Sequence, residues 1–310
     1  MKAVRIHEFG SADVLKVEDL PRPSPAAGEV LIEVRAASVN PVDYKIREGK
    51  YPPVKAEQLP VTLGRDAAGV VTRLGGGVTA VAEGDEVFVM LPPDRGGYAE
   101  WVTAPASLCA IKPISLDMIQ AASVPLAALT AWQGLFTYGE LTEGQRVLIH
   151  GASGGVGPFA VQLAVAKGAE VYATASAENR AFVESLGARR VIDYRAERFE
   201  DVVHDLDLVY DLIGGETEAR SWQVLKRGGR LISTVHEPDA GRAAEAGVIA
   251  RRYTCQPNGG QLAEIARLID GGQIKVSIDK VFPLDEAAAA ERRLQHDHVT
   301  GKVVLDVSGI

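Results

Sequence analysis

Cysteine, basic charge and long apolar runs are all scarce in this chain of 310 residues. Its 2 cysteines, Cys109 and Cys255, exclude a disulfide framework or a cysteine-rich zinc site and suit a reducing, cytoplasmic compartment. No apolar run reaches the roughly 18 residues that a membrane helix needs, and the N-terminus alternates like a strand instead of resembling a signal peptide. The net charge of −8 argues against a nucleic-acid partner. We therefore expect a soluble protein that binds neither nucleic acid nor membranes.

The residue pattern changes near residue 116, which predicts two domains. The first hundred residues predict mainly short strands separated by turns, with one short helix at residues 42–48. After the change, short apolar runs alternate with helical patterns, which is typical of βαβ units and a parallel sheet. Two amphipathic helices (residues 261–270 and 285–295) and a strand (residues 302–307) are predicted at the end of the chain.

The most informative motif is a glycine-rich turn after an apolar strand. Residues 151–157 are Gly-Ala-Ser-Gly-Gly-Val-Gly, and a helical pattern follows them. In the G-x-G-x-x-G frame, Ala152 takes the first place, and Gly154 and Gly157 take the second and third. Small residues let the backbone approach a pyrophosphate, whose negative charge is favoured at a helix N-terminus. The motif predicts a dinucleotide site, and the alternative is a tight strand-to-helix turn without a ligand.

The residues after the next strand favour NADP over NAD. An NAD site usually has an Asp or Glu at the end of this strand, where it binds the ribose 2′-hydroxyl. Here the strand ends at Ser176 without an acidic residue, and Asn179 and Arg180 follow with groups that suit a phosphate. Glu178 weakens this interpretation unless its side chain points away. The alternative is that Ser176 caps the next helix and Arg180 is solvated.

Several motifs in order along the chain resemble the zeta-crystallin-like quinone oxidoreductases, the zinc-free branch of the medium-chain dehydrogenase/reductase superfamily. Residues 144–162 have the pattern G-Q-x-x-L-x-x-x-A-S-G-G-x-G-x-x-x-x-Q, which is similar to the signature of that family. Further matching segments are residues 40–45 (NPVDYK), 63–69 (LGRDAAG), 84–87 (GDEV), 97–100 (GYAE), 129–131 (LTA) and 301–305 (GKVVL). The resemblance therefore covers nearly the whole chain.

This resemblance implies an α/β protein with a GroES-like, partly open β-barrel catalytic domain and a Rossmann domain with a doubly wound parallel sheet. It places the catalytic domain at residues 1–120, completed by residues 258–310, and the NADP-binding domain at residues 121–257. It implies NADPH as cofactor, bound by Thr130, Ser153, Gly154, Gly155, Val156, Ser176, Asn179, Arg180, Tyr194, Ile213, Gly214 and Val235. The 2′-phosphate site of the family often includes a Lys, whose place Asn179 takes here, so Arg180 must supply the charge.

The resemblance also implies a site without a metal. Zinc-dependent relatives hold a catalytic metal with a Cys and a Gly-His-Glu segment, whereas residues 64–66 are Gly-Arg-Asp here and no Cys precedes Cys109. His296 and His298 form a close pair that we expect to be solvated. Without a Lewis acid, alcohol oxidation is disfavoured, because no metal stabilises an alkoxide. Hydride addition to an electrophilic quinone or α,β-unsaturated carbonyl remains feasible.

Such an acceptor becomes an anion, which needs a hydrogen-bond donor and then a proton. By the resemblance, Asn40, Tyr44 and Lys45 belong to the segment beside the nicotinamide. Lys45 can stabilise or protonate an oxyanion, and Tyr44 can donate from its phenol. The alternative is that Asn40 caps the helix, Tyr44 packs and Lys45 is a surface cation.

The function expected from these features is NADPH-dependent reduction of quinones or α,β-unsaturated carbonyls (enones and enals), with protonation by Lys45, Tyr44 or solvent. One alternative is an enoyl-thioester reductase, which needs an additional basic patch for a carrier phosphate; Arg251 and Arg252 keep this option open. Another is a non-catalytic NADPH-binding sensor or structural protein. The expected partners are a small-molecule substrate and a second copy of the chain, since the resemblance implies a homodimer built by edge pairing in the nucleotide domain.

Overall fold

The computed structural model describes residues 1–309, which divide into two compact units. The first unit comprises Met1–Leu129, Pro257–Gly272 and the chain from Val276 onward. The second unit comprises Thr130–Gln256 and Gln273–Lys275. The first unit is therefore interrupted by the second in the sequence.

The strands, numbered in chain order, are β1 (Lys2–Ile6), β2 (Lys16–Asp19), β3 (Glu29–Val39), β4 (Val61–Thr62), β5 (Asp66–Leu74), β6 (Glu86–Met90), β7 (Trp101–Pro105), β8 (Cys109–Ile111), β9 (Arg146–Ile149), β10 (Glu170–Ala175), β11 (Arg190–Asp193), β12 (Leu206–Asp211), β13 (Leu225–Ser233), β14 (Ile249–Arg252), β15 (Ile278–Pro283) and β16 (Lys302–Asp306). The α-helices are α1 (Pro41–Arg47), α2 (Met118–Ala122), α3 (Pro125–Trp132), α4 (Gly157–Ala166), α5 (Arg180–Ser185), α6 (Gly215–Ser221), α7 (Ala240–Ala246), α8 (Gly259–Asp270) and α9 (Ala287–His296). None of the helices in residues 1–309 is long and apolar enough to cross a membrane.

The first unit is built mainly from antiparallel strands around β3. One end of β3 pairs with β7, the other end pairs with β16, and β5 lies along its opposite edge. The resulting sheet has the order β15-β16-β3-β5-β6-β8, and a separate three-stranded sheet has the order β2-β1-β4. Alternating apolar residues such as Val30, Ile32 and Val87 point into one buried core. The prediction of a GroES-like, partly open barrel is confirmed.

The second unit contains a parallel sheet of six strands in the order β11-β10-β9-β12-β13-β14. Numbered within this unit, the order is 3-2-1-4-5-6, that of the dinucleotide-binding doubly wound fold. The strands are largely apolar because helices cover such sheets on both faces, and Leu148, Ile192 and Leu231 are fully buried. The strand order reverses between β9 and β12, which places a ligand crevice at the carboxyl ends of these strands. The predicted Rossmann domain is confirmed.

The sequence patterns did not predict every element. The strands β8, β14 and β15 are short or rich in polar residues, so their alternation is weak. A π-helical turn at Gln133–Tyr138 continues directly from α3. The first unit extends to Leu129, whereas the resemblance placed the end of the catalytic domain's first segment at residue 120. The residues between these two positions include the end of α2 and the beginning of α3.

Candidate active site

The glycine-rich loop of residues 151–157 is anchored between two neighbouring strands of the parallel sheet. The backbone N–H of His150 donates to the Tyr210 carbonyl at 3.0 Å, and the N–H of Ala152 donates to the Thr174 carbonyl at 3.1 Å. Gly151 has φ of +75°, a left-handed conformation that glycine adopts without strain. The loop is therefore held at the carboxyl ends of β9, β10 and β12, at the place where the strand order reverses.

Gly154 and Gly157 of this loop differ in the space that a Cβ atom would find at each position. A Cβ on Gly157 would lie 2.4 Å from the Gly151 carbonyl oxygen and 2.5 Å from Ala152 Cα, so α4 packs directly on the loop. A Cβ on Gly154 would meet only the Gly151 carbonyl oxygen, at 3.6 Å. The protein itself thus requires glycine at position 157 and leaves open space at position 154. Open space over the backbone at this place fits a pyrophosphate that approaches the loop closely.

The N-terminus of α4 provides the electrostatic part of this site. Val156 precedes the helix and has no side-chain acceptor for the first backbone N–H groups of the helix. Unpaired N–H groups and the helix dipole favour an anion at this end. The open space at Gly154 and the free helix end together make the loop suitable for the pyrophosphate of a dinucleotide.

Three of the predicted cofactor residues follow β10. Ser176 is buried, Asn179 donates from Nδ2 to the Ser176 hydroxyl at 3.4 Å, and Glu178 is exposed. The Arg180 side chain is 42% exposed, and its Nη2 donates to Glu197 at 2.9 Å. A hydroxyl, an amide and a guanidinium therefore lie at the end of β10, and the guanidinium has an acidic partner that no local sequence pattern predicts.

Most of the other residues that are predicted to bind the cofactor lie at the same edge of the sheet. Tyr194 follows β11 and is 49% exposed, Ile213 and Gly214 follow β12, and Val235 follows β13. Ser153, Gly154, Gly155 and Val156 lie in the loop after β9. Thr130 instead belongs to α3, and its backbone carbonyl accepts hydrogen bonds from the Tyr210 and Tyr253 hydroxyls.

Asp211, at the end of β12, organises part of this edge. One of its carboxylate oxygens accepts the backbone N–H groups of Ile213 at 3.0 Å and Gly214 at 2.9 Å. The other accepts the Ser233 hydroxyl at 3.0 Å, and that hydroxyl also accepts the N–H of Val235 at 3.1 Å. This fully buried carboxylate orders the loops after both β12 and β13. Asp211 was not predicted as a site residue. The sequence signal that could have identified it is an acidic residue at the end of the apolar run of β12.

In the first unit, Asn40 belongs to a buried polar cluster. Its Nδ2 donates to Asp66 Oδ2 at 2.9 Å and to Ser38 at 3.3 Å, and its Oδ1 accepts from Lys302 Nζ. The Asp66 carboxylate also accepts the Ser38 hydroxyl at 2.6 Å and the N–H of Leu126 at 2.8 Å. Burial lowers the pKa of the Lys302 amine, and the charge of Asp66 opposes that shift. The amide of Asn40 is thus fully hydrogen-bonded inside the protein, which is the geometry of a positioning residue.

Tyr44 and Lys45 lie on α1, directly after this cluster. Tyr44 is half-buried, and burial together with the charge of Glu48 raises the pKa of its phenol. A phenol is protonated at neutral pH even at its ordinary pKa, so the hydroxyl can donate a hydrogen bond, and the raised pKa makes it a weaker acid. Lys45 is exposed. The structure therefore presents two donors on one short helix whose beginning is fixed by buried hydrogen bonds.

The segment at the position of the zinc-binding Gly-His-Glu has structural hydrogen bonds. Arg65 is buried and donates from Nε to the Leu91 carbonyl at 2.7 Å, while Asp66 is held in the cluster around Asn40. Within residues 1–309, no group of three or more His, Cys, Asp or Glu side chains is arranged to hold a metal ion. Absence of zinc stays a prediction.

Both units contain segments that match known protein families. Residues 26–114 match the alcohol dehydrogenase GroES-like domain, and residues 186–305 match a model described as zinc-binding dehydrogenase. The NADPH-dependent alkenal/one oxidoreductase of Arabidopsis thaliana chloroplasts is 37% identical, over 98% of this chain and 79% of that protein. The structure of the quinone oxidoreductase from Coxiella burnetii superposes with a TM-score of 0.90 at 39% identity, over 99% of both chains.

This chain belongs to the quinone oxidoreductase family of medium-chain dehydrogenases/reductases. A further member, the Escherichia coli quinone oxidoreductase in complex with NADPH, has a TM-score of 0.89 and 30% identity, over 99% of this chain and 100% of that one. The resemblance stated from the sequence motifs is confirmed.

Proposed function

We propose that this chain is an NADPH-dependent reductase of quinones and α,β-unsaturated carbonyls. The observation that carries the proposal is the carboxyl edge of the parallel sheet, where open backbone at Gly154 lies beside the free N-terminus of α4. The names of the family members agree, since one is an NADPH-dependent alkenal/one oxidoreductase and another was solved with NADPH.

The chain offers one group of residues for the pyrophosphate of NADPH and another for its 2′-phosphate. The backbone of residues 153–156 and the N-terminus of α4 would hold the pyrophosphate, because both present N–H groups to an anion. Ser176, Asn179 and Arg180 would hold the 2′-phosphate, for which a guanidinium is a suitable partner. When bound, NADPH supplies a hydride for the electrophilic atom of the acceptor.

After hydride transfer the acceptor carries a negative charge on oxygen. Residues of α1 would stabilise this charge and help to protonate the oxygen. Lys45 would stabilise this charge or supply the proton, and Tyr44, whose raised pKa makes it a weaker acid, would donate a hydrogen bond. Asn40, held by Asp66 and Lys302, would fix the beginning of the helix that carries both donors. Quinones and α,β-unsaturated carbonyls need no metal to polarise them, because their conjugated double bonds accept the hydride and move the negative charge onto oxygen.

A panel of acceptors tests this function. NADPH oxidation is followed with quinones, enones, enals and enoyl thioesters, and binding of NADPH is measured separately. Turnover with quinones or enones supports the proposal. Binding of NADPH without turnover of any acceptor identifies a non-catalytic binding protein, and a clear preference for enoyl thioesters identifies an enoyl reductase.

We also propose that the protein acts in the cytoplasm as a homodimer. The sequence has only 2 cysteines, which suits a reducing compartment. The parallel sheet ends at β14, whose Ile249 is 50% exposed, and an open strand edge is a template for pairing with a second chain. Light scattering during size-exclusion chromatography measures the mass: twice the chain mass supports the dimer, and a monomer at micromolar concentration contradicts it.

A further inference from the structure

His150 is a fully buried histidine to which the proposed function gives no role. It directly follows β9 and directly precedes the glycine-rich loop of residues 151–157. Its ring lies edge-on to the ring of Phe199, with the ring centroids 4.7 Å apart. A buried histidine at this place is either packing alone or an organiser of the loop, and its hydrogen bonds distinguish the two.

Both ring nitrogens of His150 have hydroxyl partners. Nδ1 is 3.2 Å from the Thr174 hydroxyl of β10, and Nε2 is 3.0 Å from the Ser221 hydroxyl at the end of α6. The Ser221 hydroxyl donates to the Thr217 carbonyl at 2.7 Å. The Thr174 hydroxyl oxygen accepts the N–H of Gly151 at 3.3 Å. A continuous chain of hydrogen bonds therefore joins α6 to the first residue of the loop.

The donors along this chain decide which ring nitrogen carries the proton. Ser221 uses its one hydroxyl proton on the Thr217 carbonyl, so its oxygen accepts from Nε2 of His150. With the proton on Nε2, Nδ1 accepts the hydroxyl proton of Thr174. The opposite tautomer would leave this proton without an acceptor among the described residues, because the N–H of Gly151 is itself a donor.

The environment of His150 keeps the ring neutral. Burial lowers its pKa to about 4, although the charges of Asp211 on β12 and Glu200 after β11 oppose this shift. Arg220, the neighbour of Ser221 on α6, lowers the pKa further. A neutral imidazole has one N–H donor and one acceptor nitrogen, which is what the two hydroxyl contacts require.

We propose that His150, neutral and protonated on Nε2, is a positioning residue for the glycine-rich loop. It holds the Thr174 hydroxyl with its oxygen towards the Gly151 N–H, while the Thr174 carbonyl accepts the N–H of Ala152 at 3.1 Å. One residue of β10 thus holds the first two amides of the loop, and His150 orients its side chain. The inference rests on the proposed function, which assigns this loop to the pyrophosphate of NADPH.

Two substitutions of His150 separate its two ring contacts. His150→Asn places a side-chain oxygen near the position of Nδ1, so it keeps an acceptor for Thr174 and loses the donor to Ser221. His150→Gln places its amide N–H groups near Nε2, so it keeps the donor to Ser221 and loses the acceptor for Thr174. The Kd for NADPH should rise about tenfold in His150→Gln, as for a lost buried hydrogen bond, and less than about threefold in His150→Asn.

Thr174→Val tests the same contact from the other side and serves if His150→Gln does not fold. Its Kd should also rise about tenfold, and the double variant should bind no more weakly than either single variant, because both changes break one chain of hydrogen bonds. Thr174→Ser keeps the hydroxyl and should bind NADPH like the parent. An unchanged Kd in both His150→Gln and Thr174→Val would make His150 a residue of packing alone and overturn the proposal.

Val224→Ala is the matched control for lost packing. Val224 is fully buried in the core of the same sheet and precedes β13, at the amino end of the strands and away from the loop. Its truncation should reduce stability against urea and leave the Kd for NADPH unchanged. His150→Gln should instead raise KM for NADPH about tenfold and keep kcat at saturating NADPH within about twofold, because hydride transfer takes place at the other end of the cofactor.

Two measurements without NADPH test the proton and the loop directly. In the ¹⁵N spectrum of protein labelled at histidine, at pH 7, the signals lost in His150→Gln should belong to a neutral ring protonated on Nε2. The Gly151 amide should exchange with D₂O faster in His150→Gln than in the parent and His150→Asn. A ring protonated on Nδ1, or equal exchange in all three proteins, overturns the proposal. If the parent does not bind NADPH, the proposed function fails while both measurements still decide the role of His150.

Discussion

Replacing Gly154 by alanine should impair NADPH binding without impairing folding. The added Cβ would meet only the Gly151 carbonyl oxygen at 3.6 Å, an ordinary van der Waals distance, and Gly154 is not among the glycines with positive φ. Alanine at such a site leaves the free energy of unfolding unchanged or raises it by about 0.4–1 kcal/mol, because the unfolded chain loses freedom. The same methyl group projects into the space that the pyrophosphate needs.

The expected loss of affinity follows from that steric conflict. Inserting a methyl group into a filled space costs about 1–3 kcal/mol, which is about 5- to 150-fold in Kd. Gly157→Ala is the matched comparison, because its Cβ would lie 2.4 Å from the Gly151 carbonyl oxygen inside the protein. That variant should lose about 1–3 kcal/mol of unfolding free energy, since backbone must shift to admit the methyl group.

Two measurements separate these effects. Fluorescence titration with NADPH gives Kd, and urea unfolding without NADPH gives the free energy of unfolding. We expect weak binding with parental stability for Gly154→Ala and reduced stability for Gly157→Ala. A Gly154→Ala protein that binds NADPH as tightly as the parent would refute the placement of the pyrophosphate over this loop.

Three further predictions concern specificity, catalysis and metal. Arg180→Ala should weaken NADPH binding roughly tenfold and leave NADH binding nearly unchanged, as measured by parallel titrations; an equal loss for both cofactors would remove Arg180 from the 2′-phosphate site. Lys45→Ala should lower kcat for an enone about a hundredfold at unchanged NADPH affinity, and a kcat within about threefold of the parent would exclude Lys45 from charge stabilisation. Activity should survive exhaustive chelation with no stoichiometric zinc by elemental analysis; one zinc per chain, lost together with activity, would show that the residues at Arg65 and Asp66 were misinterpreted.

The parallel sheet was predictable because its signals are local. Each buried strand is a short apolar run, and the glycine-rich turn after β9 marks where the chain enters α4. Strand β14 lacks this signal, since its sequence is Ile-Ala-Arg-Arg and only its pairing with β13 makes it a strand. Its position at the sheet edge allows its arginines to be exposed. A short segment with exposed arginines has no apolar periodicity that would distinguish a strand from a loop.

The buried polar contacts were not predictable, because they join residues that are distant in the sequence. The Arg47–Glu291 contact spans 244 positions, and the Lys302–Asn40 contact spans 262. From the sequence, Asn40 is therefore predicted to lie beside the nicotinamide or to cap a helix, and Lys302 is only part of a motif. Both are buried, and their burial follows from the pairing of β16 with β3, which brings Val303 opposite Val39.

The acidic partner of Arg180 refines the argument for NADPH. Glu197 accepts from Arg180 at 2.9 Å and from Arg190 at 2.7 Å, so two guanidinium groups share one carboxylate. The hydrogen bonds to both arginines lower the pKa of Glu197, which keeps it ionised. A guanidinium has five N–H donors, and the bond to Glu197 leaves others for a phosphate. We therefore expect Glu197 to orient Arg180, whose remaining N–H donors would suit a 2′-phosphate better than a 2′-hydroxyl.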